Sequence, residues 1–436
     1  MTSVVEAAGN FAHRFSRLTD VEMNRIVYDS GIRYIAATAC SVDDTNHAQL
    51  EEWDRQGKVR LMLAASETIL PAFAAGVYVG SGGRERTLMK LQISGYGHIL
   101  DGLVSSLETF GIPAAVCTTL RGIEPEDISI PHRNMGRITD PLTRLWFPKE
   151  GVFGRLDGKR LRGELTRGMA RFAEGKNTMV RVSPAGFEKT IQPPEVGPRE
   201  YTTEGLREHL EALDLVRHRL YEVWGQTPIS REEADDKVMD SITEDTVVVT
   251  GNGYEPRALF SRHHRALNIY GIGNMGGAKA FGIGIKLANP FLPVRVIEGD
   301  MNAQEGCAAL YSLARYRFSE DDFRSEVYDN GHGSSVGTAE SLPLLLDDHR
   351  FSRVTRTIPE QSGQFKEGRV EDEISNRYAT DREMIETLGP MVYQINTAMH
   401  VIRQETAKKI ARLIDQHQLE EADIPPTFAD YRQYAA

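Results

Sequence analysis

The chain has 436 residues, 40% of them hydrophobic and 26% charged, which is enough for two or three globular domains with substantial cores. Its formal net charge of −11 argues against nucleic acid or an anionic membrane as the main partner. Its three widely spaced cysteines form neither a disulfide framework nor a zinc motif, and no apolar run is long enough to span a bilayer. These features predict a soluble, cytoplasmic protein.

The first half of the chain alternates apolar runs with amphipathic helical patterns. The apolar runs predict four buried strands, at 33–42, 59–64, 87–94 and 112–120. One helix is predicted to begin at Ser66-Glu67, and another ends near Phe110. Strands separated by helices are typical of a parallel sheet with helices on both faces. We therefore predict an α/β domain over residues 15–192, followed by a linker with a helix over 193–225.

The second half repeats this architecture. Strands are predicted at 246–251, at 294–300 and in the segment that begins at 323, with helices between them. After Leu346 the pattern changes, because residues 357–382 are polar and charged and residues 383–418 read as one long helix. We predict a second α/β domain over residues 226–346 and a helical C-terminal extension over 347–436.

A glycine-rich turn, residues 271–277, opens a predicted helix of the second half. Gly271, Gly273 and Gly276 follow a short strand, and Glu298 lies near the end of the next strand. A dinucleotide fingerprint has these elements, in which glycines let the backbone approach a pyrophosphate and the acid holds a ribose. The same glycines also suit tight packing of a helix on a strand without any ligand. This motif alone leaves both interpretations open, and the first would make the protein a NAD-dependent dehydrogenase.

Two strand ends of the second half carry residues that suit a metal ion. Gly299-Asp300 ends one strand, and Asp329-Asn330 ends another about thirty positions later. At the carboxyl ends of parallel strands, a carboxylate and an amide oxygen can converge on one hard cation, and Mg²⁺ completes its coordination with phosphate and water oxygens. The glycine-rich helix start could supply N–H groups to a diphosphate. Asp and Asn are also common turn residues, but the joint order and spacing favour a Mg²⁺–diphosphate site.

These residues carry a family resemblance. Gly299-Asp300 followed by Asp329-Asn330 resembles the cofactor-binding signature of thiamine diphosphate (ThDP)-dependent enzymes, and most of all the phosphonopyruvate decarboxylase and sulfopyruvate decarboxylase group. The segments AASETILPAFAAGVYVGSGGR, SGYGHILDGLVSSLETFGIPAAVCTTLRG and GIGNMGGAKAFGIGIKLANP are similar to this group as well, and the resemblance covers residues 15–345. It implies one domain for the cofactor's pyrimidine, one for its diphosphate, and at least a homodimer with the active site at the subunit interface.

The resemblance also implies roles for single residues. Glu67 would hydrogen-bond the aminopyrimidine ring and activate the cofactor, and His98 and His332 are further catalytic candidates. The implied metal ligands are Asp300, Asn330 and His332, the last through its backbone carbonyl. The implied cofactor contacts are Gly251, Gly273, Asn274, Met275, Gly299, Asp300, Met301, Asn302, Asn330 and Ser334, with Met275 as the residue that bends the cofactor. The implied substrate contacts are Cys40, Ser41, Arg121 and His132, with Arg133 as a further group for an anionic tail.

Each assignment has a plainer alternative. Glu67 suits an acid at a helix N-terminus, and the loop histidines and basic residues suit structural or solvated positions. Cys40 suits a buried core. The chain also departs from the family at Met301, where glycine is usual, and at Ser66-Glu67-Thr68, where Asn-Glu-Gly is more typical.

The function implied is ThDP- and Mg²⁺-dependent decarboxylation of a small 2-oxo acid. The leading substrate is phosphonopyruvate, which gives phosphonoacetaldehyde and CO₂, or a close analogue such as sulfopyruvate. A ThDP-dependent carboligase is the second interpretation. A NAD-dependent dehydrogenase and an inactive scaffold subunit are the alternatives from other classes.

Overall fold

The computed structural model describes residues 17–38, 44–122, 130–155, 160–190, 207, 222–223, 225–271, 273–316, 318–331, 352–358 and 369–435. The chain forms two compact units. The first unit consists of Met1–Ala74, Glu85–Leu107 and Ile112–Glu195, and the second of Ala75–Arg84, Glu108–Gly111 and Val196–Ala436. Among the described residues, no helix combines the length and the apolar character needed to cross a membrane.

The first unit contains a six-stranded parallel sheet and a short parallel strand pair. In chain order its strands are β1 (Leu18–Thr19), β2 (Tyr34–Ala37), β3 (Arg60–Leu63), β4 (Thr87–Gln92), β5 (Ala115–Thr119), β6 (Val152–Phe153), β7 (Thr178–Val182) and β8 (Phe187–Glu188). The large sheet has the order β3-β2-β4-β5-β7-β6, and β1 pairs with β8. The four strands predicted in this half are therefore present, each shorter than its apolar run.

The helices of this half of the chain are α1 (Asp20–Asp29), α2 (Asp44–Arg55), α3 (Leu70–Gly80), α4 (Tyr96–Gly102), α5 (Ile130–Thr143) and α6 (Leu161–Ala173). Residues 75–80 of α3 belong to the second unit. Helix α1 begins at a capping box, in which Thr19 and Glu22 each accept a hydrogen bond from the other's backbone N–H. Its buried Met23 packs with Leu165 of α6 in one apolar cluster with the strands, so burial of the sheet face holds these helices in place.

The second unit is built on a five-stranded parallel sheet. Its strands are β9 (Val247–Thr250), β10 (Asn268–Ile269), β11 (Val294–Gly299), β12 (Phe323–Asp329) and β13 (Ser352–Arg356), in the order β10-β9-β11-β12-β13. Strand β13 was not predicted. Its sequence SRVTR has no apolar run, because the strand lies at the sheet edge and only Ser352 is fully buried. Its parallel pairing with β12, and not an apolar pattern, is what adds it to the sheet.

Helices of the second unit include the C-terminal extension. They are α7 (Arg231–Asp240), α8 (Glu255–His263), α9 (Ala278–Ala288), α10 (Asp300–Glu305), α11 (Ala308–Arg315), α12 (Val370–Arg377), α13 (Arg382–Leu388) and α14 (Pro390–Asp415). The single helix expected over 383–418 is wrong in one respect: it is divided at Gly389, whose φ of 87° ends α13, and Pro390 then begins α14. The polar segment also contains a helix, α12. The predicted fold class, parallel α/β sheets flanked by helices with a helical C-terminal region, is confirmed.

Close backbone packing fixes α9, the helix that follows the glycine turn. Gly76 and Gly80 belong to the second unit and lie against this helix. A Cβ at Gly76 would lie 2.0 Å from the carbonyl oxygen of Phe281, and one at Gly80 would lie 2.6 Å from that of Ile285. Glycine is therefore required at both positions for the two helices to approach this closely.

Candidate cofactor site

The first group of candidate residues lies at the carboxyl edge of the first sheet. Glu67 follows β3, Thr38 follows β2 and His98 lies beyond β4, and these three strands are neighbours. Ser66 begins the turn that carries Glu67, because its Oγ accepts a hydrogen bond from the N–H of Thr68 at 3.4 Å. The parallel topology thus brings residues from three separate sequence segments to one edge, which we call the Glu67 edge (Thr38, Glu67, Gly95 and His98).

The Glu67 carboxylate is held by two polar neighbours. Thr38 donates a hydrogen bond from Oγ1 to Oε1 of Glu67 at 3.2 Å, and Nδ1 of His98 lies 3.3 Å from Oε2. Gly95 makes room for the carboxylate, since a Cβ there would lie 2.6 Å from Oε1. The side chain of Glu67 is 18% exposed and that of His98 is 63% exposed. Glu67 is therefore oriented but still accessible, as a carboxylate that bonds a ligand must be.

A buried aromatic ring anchors the turn that contains Gly95. Tyr96 is fully buried, and its ring packs against Phe147 with the centroids 6.4 Å apart. Burial raises the pKa of Tyr96, so its phenol stays neutral. The turn beside Glu67 is thus fixed by apolar contact, although sequence analysis gave Tyr96 no role.

Two of the substrate candidates lie in one segment of the first unit. Arg121 follows β5 and His132 lies in the first turn of α5. Gly122, with a φ of 67°, touches the backbone of His132, because a Cβ at Gly122 would lie 1.7 Å from the His132 oxygen. Helix α5 packs in turn against residues Ile93–Gly95. The structure therefore brings Arg121 and His132 together near the Glu67 edge; Arg133 is exposed, and Cys40 and Ser41 lie outside the described residues.

The second group lies at the carboxyl edge of the second sheet and begins with the glycine turn. Gly271 donates its N–H to Oγ1 of Thr250 at 3.0 Å, and a Cβ at Gly271 would lie 2.5 Å from the Thr250 carbonyl oxygen. Gly276 has a φ of 79°, and a Cβ there would lie 2.6 Å from the backbone nitrogen of Gly306. No side chain could be added at either position without displacing backbone. The glycine turn therefore allows its main chain to lie directly against neighbouring main-chain segments.

The end of this turn presents N–H groups and one apolar side chain. Gly273 is half-buried, and Asn274 has a φ of 53° with a largely buried side chain. The next residue, Met275, is 38% exposed, so its side chain is accessible beside these N–H groups. Helix α9 has Gly277 as its N-cap and no side-chain cap. The N–H groups of its first turn can thus bind an anion.

Asp300 and the segment that contains Asn330 converge at this same edge. Asp300 is only 4% exposed, and its Oδ2 accepts the N–H of Gly331 at 3.1 Å. The carboxylate of Asp329 accepts the same N–H at 3.0 Å. Asn330, which is half-buried, therefore lies beside Asp300. His332 and Ser334 lie outside the described residues.

Asn302 connects three loops, a role that sequence analysis did not assign to it. Its Oδ1 accepts the N–H of Gly276 at 3.3 Å, and its Nδ2 donates to the carbonyl oxygen of Asn252 at 3.0 Å. Gly251 allows this contact, because a Cβ there would lie 3.1 Å from Cγ of Asn302. Met301 lies in helix α10, where a side chain is tolerated, so the departure from glycine needs no unusual backbone. We call residues 271–277, 299–302 and 330–331 the Asp300 edge.

A buried ion pair lies beneath the Asp300 edge. Nζ of Lys279 is 2.5 Å from Oε1 of Glu298, and both side chains are fully buried. Ser325 donates from Oγ to the same Oε1 at 2.9 Å. Because Glu298 is buried and bonded in this way, it cannot hold the ribose hydroxyls that a dinucleotide site requires. The dinucleotide interpretation of the glycine turn therefore lacks the acidic residue that it requires.

A second buried cluster supports Gly299 from the other face of the sheet. Glu255, whose Oε1 would lie 2.8 Å from a Cβ at Gly299, is paired with Arg231 at 2.8 Å. Nearby, Tyr328 donates its hydroxyl to Oδ1 of Asp235 at 2.9 Å. Burial raises the pKa of Asp235 to about 6, against the opposing effects of Tyr328 and Arg231. The sequence did not indicate this cluster, because Arg231 stands alone at the start of α7 without a recognisable motif.

Comparison with known proteins identifies two similar curated proteins. The chain is 27% identical to the phosphonopyruvate decarboxylase of Streptomyces viridochromogenes over 289 residues, which is 66% of this chain and 68% of the other. It is 28% identical to the phosphonopyruvate decarboxylase of Streptomyces hygroscopicus over 289 residues, 66% of this chain and 67% of the other. The resemblance inferred from the motifs is therefore confirmed. No protein-family model matches the chain.

A solved structure shares the fold. A protein isolated from Mycobacterium smegmatis and described as a thiamin diphosphate-dependent enzyme superposes with a TM-score of 0.55. The match covers 78% of this chain and 99% of that chain at 11% sequence identity. At this identity the similarity establishes the fold alone.

Proposed function

We propose that the protein is a ThDP- and Mg²⁺-dependent decarboxylase of a small 2-oxo acid, with phosphonopyruvate or an analogue such as sulfopyruvate as its substrate. The observation that carries the proposal is the convergence of Asp300, the Asn330 segment and the glycine turn at one sheet edge. The similarity to two phosphonopyruvate decarboxylases supports the reaction type.

The Asp300 edge fits a metal-bound diphosphate. Asp300 and Asn330 would supply two oxygen ligands, and Mg²⁺ sites of this kind take their other ligands from phosphate and water. The uncapped first turn of α9 would supply N–H groups to the phosphate oxygens. The glycines at 271 and 276 leave no side chain between the main chain and such a ligand. Met275, exposed beside these groups, would contact the rings of the cofactor.

Glu67 would act on the cofactor through a hydrogen bond. When bound, ThDP supplies an electron sink that accepts the electron pair left when the bond between C1 and C2 of the 2-oxo acid breaks. Carbon dioxide leaves in that step, and a proton takes its place on the carbon to give the aldehyde. The Glu67 carboxylate, held by Thr38 and His98, would hold a proton at the aminopyrimidine nitrogen. His98, the more exposed partner, would orient Glu67 and exchange protons with water.

The substrate's anionic tail needs a cationic partner. Arg121 and His132, which lie together near the Glu67 edge, are the residues that we propose for a phosphonate or sulfonate group. A phosphonate and a sulfonate differ in charge at neutral pH, so their relative kcat/KM values would report on the charge of this subsite. We also propose that the protein acts as a homodimer or larger oligomer, which sedimentation velocity would test.

The deciding experiment is calorimetric titration of the full chain with ThDP in the presence and absence of MgCl₂. We expect saturable binding that requires Mg²⁺, and much weaker binding of thiamine, which lacks the diphosphate. The loaded protein is then supplied with phosphonopyruvate and with sulfopyruvate, and CO₂ release is measured. Metal-independent binding, or binding of NADH instead of ThDP, would contradict the proposal. ThDP binding without CO₂ release from either acid would retain the cofactor and reject the substrate.

A further inference from the structure

The glycine turn is reached through a short strand at the edge of the sheet. Strand β10 has two residues, Asn268 and Ile269, and it lies at the edge of the sheet with β9 as its strand neighbour. Tyr270 then connects it to Gly271. So short an edge strand is weakly fixed by sheet pairing alone. Its outer side therefore needs another element to hold it.

The C-terminal extension supplies one such contact through a histidine. Nδ1 of His264 lies 2.7 Å from the hydroxyl of Tyr270, and Nε2 of the same ring lies 2.6 Å from the hydroxyl of Tyr378, at the end of α12. The His264 and Tyr270 rings are stacked with centroids 5.8 Å apart. The residue before the glycine turn is thus linked to the extension by two short hydrogen bonds.

A second contact comes from helix α14. Gln394 donates from Nε2 to the carbonyl oxygen of Asn268 at 2.5 Å. Asn268 in turn donates from Nδ2 to the Tyr270 hydroxyl at 3.3 Å and to the carbonyl oxygen of His263 at 2.8 Å. Both contacts from the extension therefore meet at Tyr270 and the strand that carries it.

Burial makes these hydrogen bonds consequential. Tyr270 and Asn268 are fully buried, Gln394 is nearly so, and His264 and Tyr378 are half-buried. Burial, reinforced by nearby Arg377, lowers the pKa of His264 to about 4, so the ring is neutral and one nitrogen donates while the other accepts. A buried polar group left without its partner costs more free energy than the bond contributes when it is made. Loss of either partner should therefore displace the strand rather than leave it in place.

We propose that Tyr378 and Gln394 are positioning residues that hold the glycine turn in the shape that binds the cofactor's diphosphate, and this inference rests on the proposed function. The extension has a separate apolar anchor, in which Phe291, outside the extension, packs edge-to-face against Phe428 with ring centroids 5.8 Å apart, in a cluster that includes Tyr431. Removing one hydroxyl at Tyr378 should therefore loosen the turn without detaching the extension.

The test compares Tyr378→Phe and Gln394→Leu with a matched control, Tyr431→Phe, which removes a hydroxyl from the apolar anchor. Hydrogen exchange of peptides covering residues 266–277 is measured on the full chain without cofactor. We expect exchange to rise about fivefold to tenfold in the first two variants and to stay unchanged in the control, because one buried hydrogen bond is lost. Calorimetry with ThDP and Mg²⁺ should show a Kd raised by a similar factor, with kcat unchanged at saturating cofactor.

Two results would overturn the inference. One is unchanged exchange at residues 266–277 in Tyr378→Phe and Gln394→Leu. The other is a rise of equal size throughout the second unit, which would indicate general destabilisation rather than positioning. If the wild-type protein binds no ThDP, the proposed function fails; the exchange measurement needs no cofactor and still decides whether the extension holds the turn.

Discussion

The two sheets end in edges of different chemical character. At the Glu67 edge the polar atoms belong to side chains, and Glu67 has two polar neighbours, one of them largely exposed. At the Asp300 edge much of the polarity is backbone, and hydrogen bonds cross between loops through Asn302 and Asp300. The first edge leaves a carboxylate accessible, while the second locks main chain in place.

This difference matches the two tasks that we propose. A group that exchanges a proton must keep contact with its ligand and retain some freedom in its hydrogen bonds. A site for a diphosphate and a metal ion gains affinity from donors that are already oriented before binding. Substitutions at the Asp300 edge should therefore weaken binding, whereas those at the Glu67 edge should slow turnover.

The largest effect is expected for Asp300→Ala. It removes the buried carboxylate that we propose as a metal ligand, and Mg²⁺ offers few substitutes for a lost oxygen. We expect the affinity for ThDP in the presence of Mg²⁺ to fall by more than about 100-fold, beyond the range of changes in outer-shell residues. The measurement is calorimetric titration with ThDP at fixed MgCl₂.

Asp329→Asn is the matched control for Asp300. It removes the neighbouring carboxylate but keeps an oxygen that can accept the N–H of Gly331. We expect its ThDP affinity to stay within about threefold of the wild type, since a carbonyl oxygen replaces a carboxylate in one hydrogen bond. Equal losses in both variants would mean that net negative charge, not a specific ligand, is what matters at this edge.

The next effect separates turnover from binding. Glu67→Gln keeps the shape of the side chain but cannot take up a proton, so we expect kcat to fall by roughly 10² to 10⁴. The Kd for ThDP should change by less than about threefold, because one hydrogen bond remains possible. Glu174→Gln, an exposed glutamate of the same unit, is the control. If Glu67→Gln retained its turnover, Glu67 would have no catalytic role and would only be an acid at a helix N-terminus.

The contrast between the edges also explains what could be predicted from sequence. That Asp300 and Asn330 lie close together could be predicted because parallel strands place their carboxyl ends together, so order and spacing carry that information. Glu67 was identified through family resemblance, since one acid at a helix start has no distinctive spacing. The alternation of apolar runs and helices was enough to predict that two parallel sheets and a helical extension exist, but not all of their strands or the break at Gly389.

Other features depend on contacts between residues far apart in sequence. The bridging role of Asn302 requires Asn252 and Gly276 to be adjacent, which the sequence does not reveal. Strand β13 has no apolar run because it is an edge strand, and its pairing with β12 is what defines it. In both cases tertiary structure, rather than local preference, determines the outcome.

An intermediate effect would test how far the Asp300 edge depends on cross-loop bonds. Asn302→Ala removes two hydrogen bonds that join the loops after three strands. Because each is worth about 1 kcal/mol, we expect the Kd for ThDP to rise about 30-fold with kcat little changed. Glu305→Ala, an exposed position of the same helix, should leave the Kd unchanged. If Asn302→Ala lowered kcat and left the Kd unchanged, the proposed division, with binding at the Asp300 edge and turnover at the Glu67 edge, would be wrong.

The smallest expected effect is on the free energy of unfolding, through Asp235 in the buried cluster beneath the Asp300 edge. Burial raises the pKa of Asp235 from 3.8 to about 6, so between those values the folded protein binds more protons than the unfolded chain. The contribution of this group to stability therefore falls as pH rises from about 4 to 6 and is constant above 6. Asp235→Asn removes this penalty, and we expect a gain of about 3 kcal/mol above pH 6 that disappears below pH 4.

Urea unfolding at several pH values checks this prediction, and the adjacent Asp236 provides a control of opposite sign. Arg262 and His263 bond its exposed carboxylate, and hydrogen bonding from His263 lowers its pKa, so Asp236→Asn should lose stability at neutral pH. A gain in Asp235→Asn that did not vary with pH would show that packing, not ionisation, limits this cluster. Since Asp235 lies beneath the edge and not on it, the Kd for ThDP should be the same in both variants.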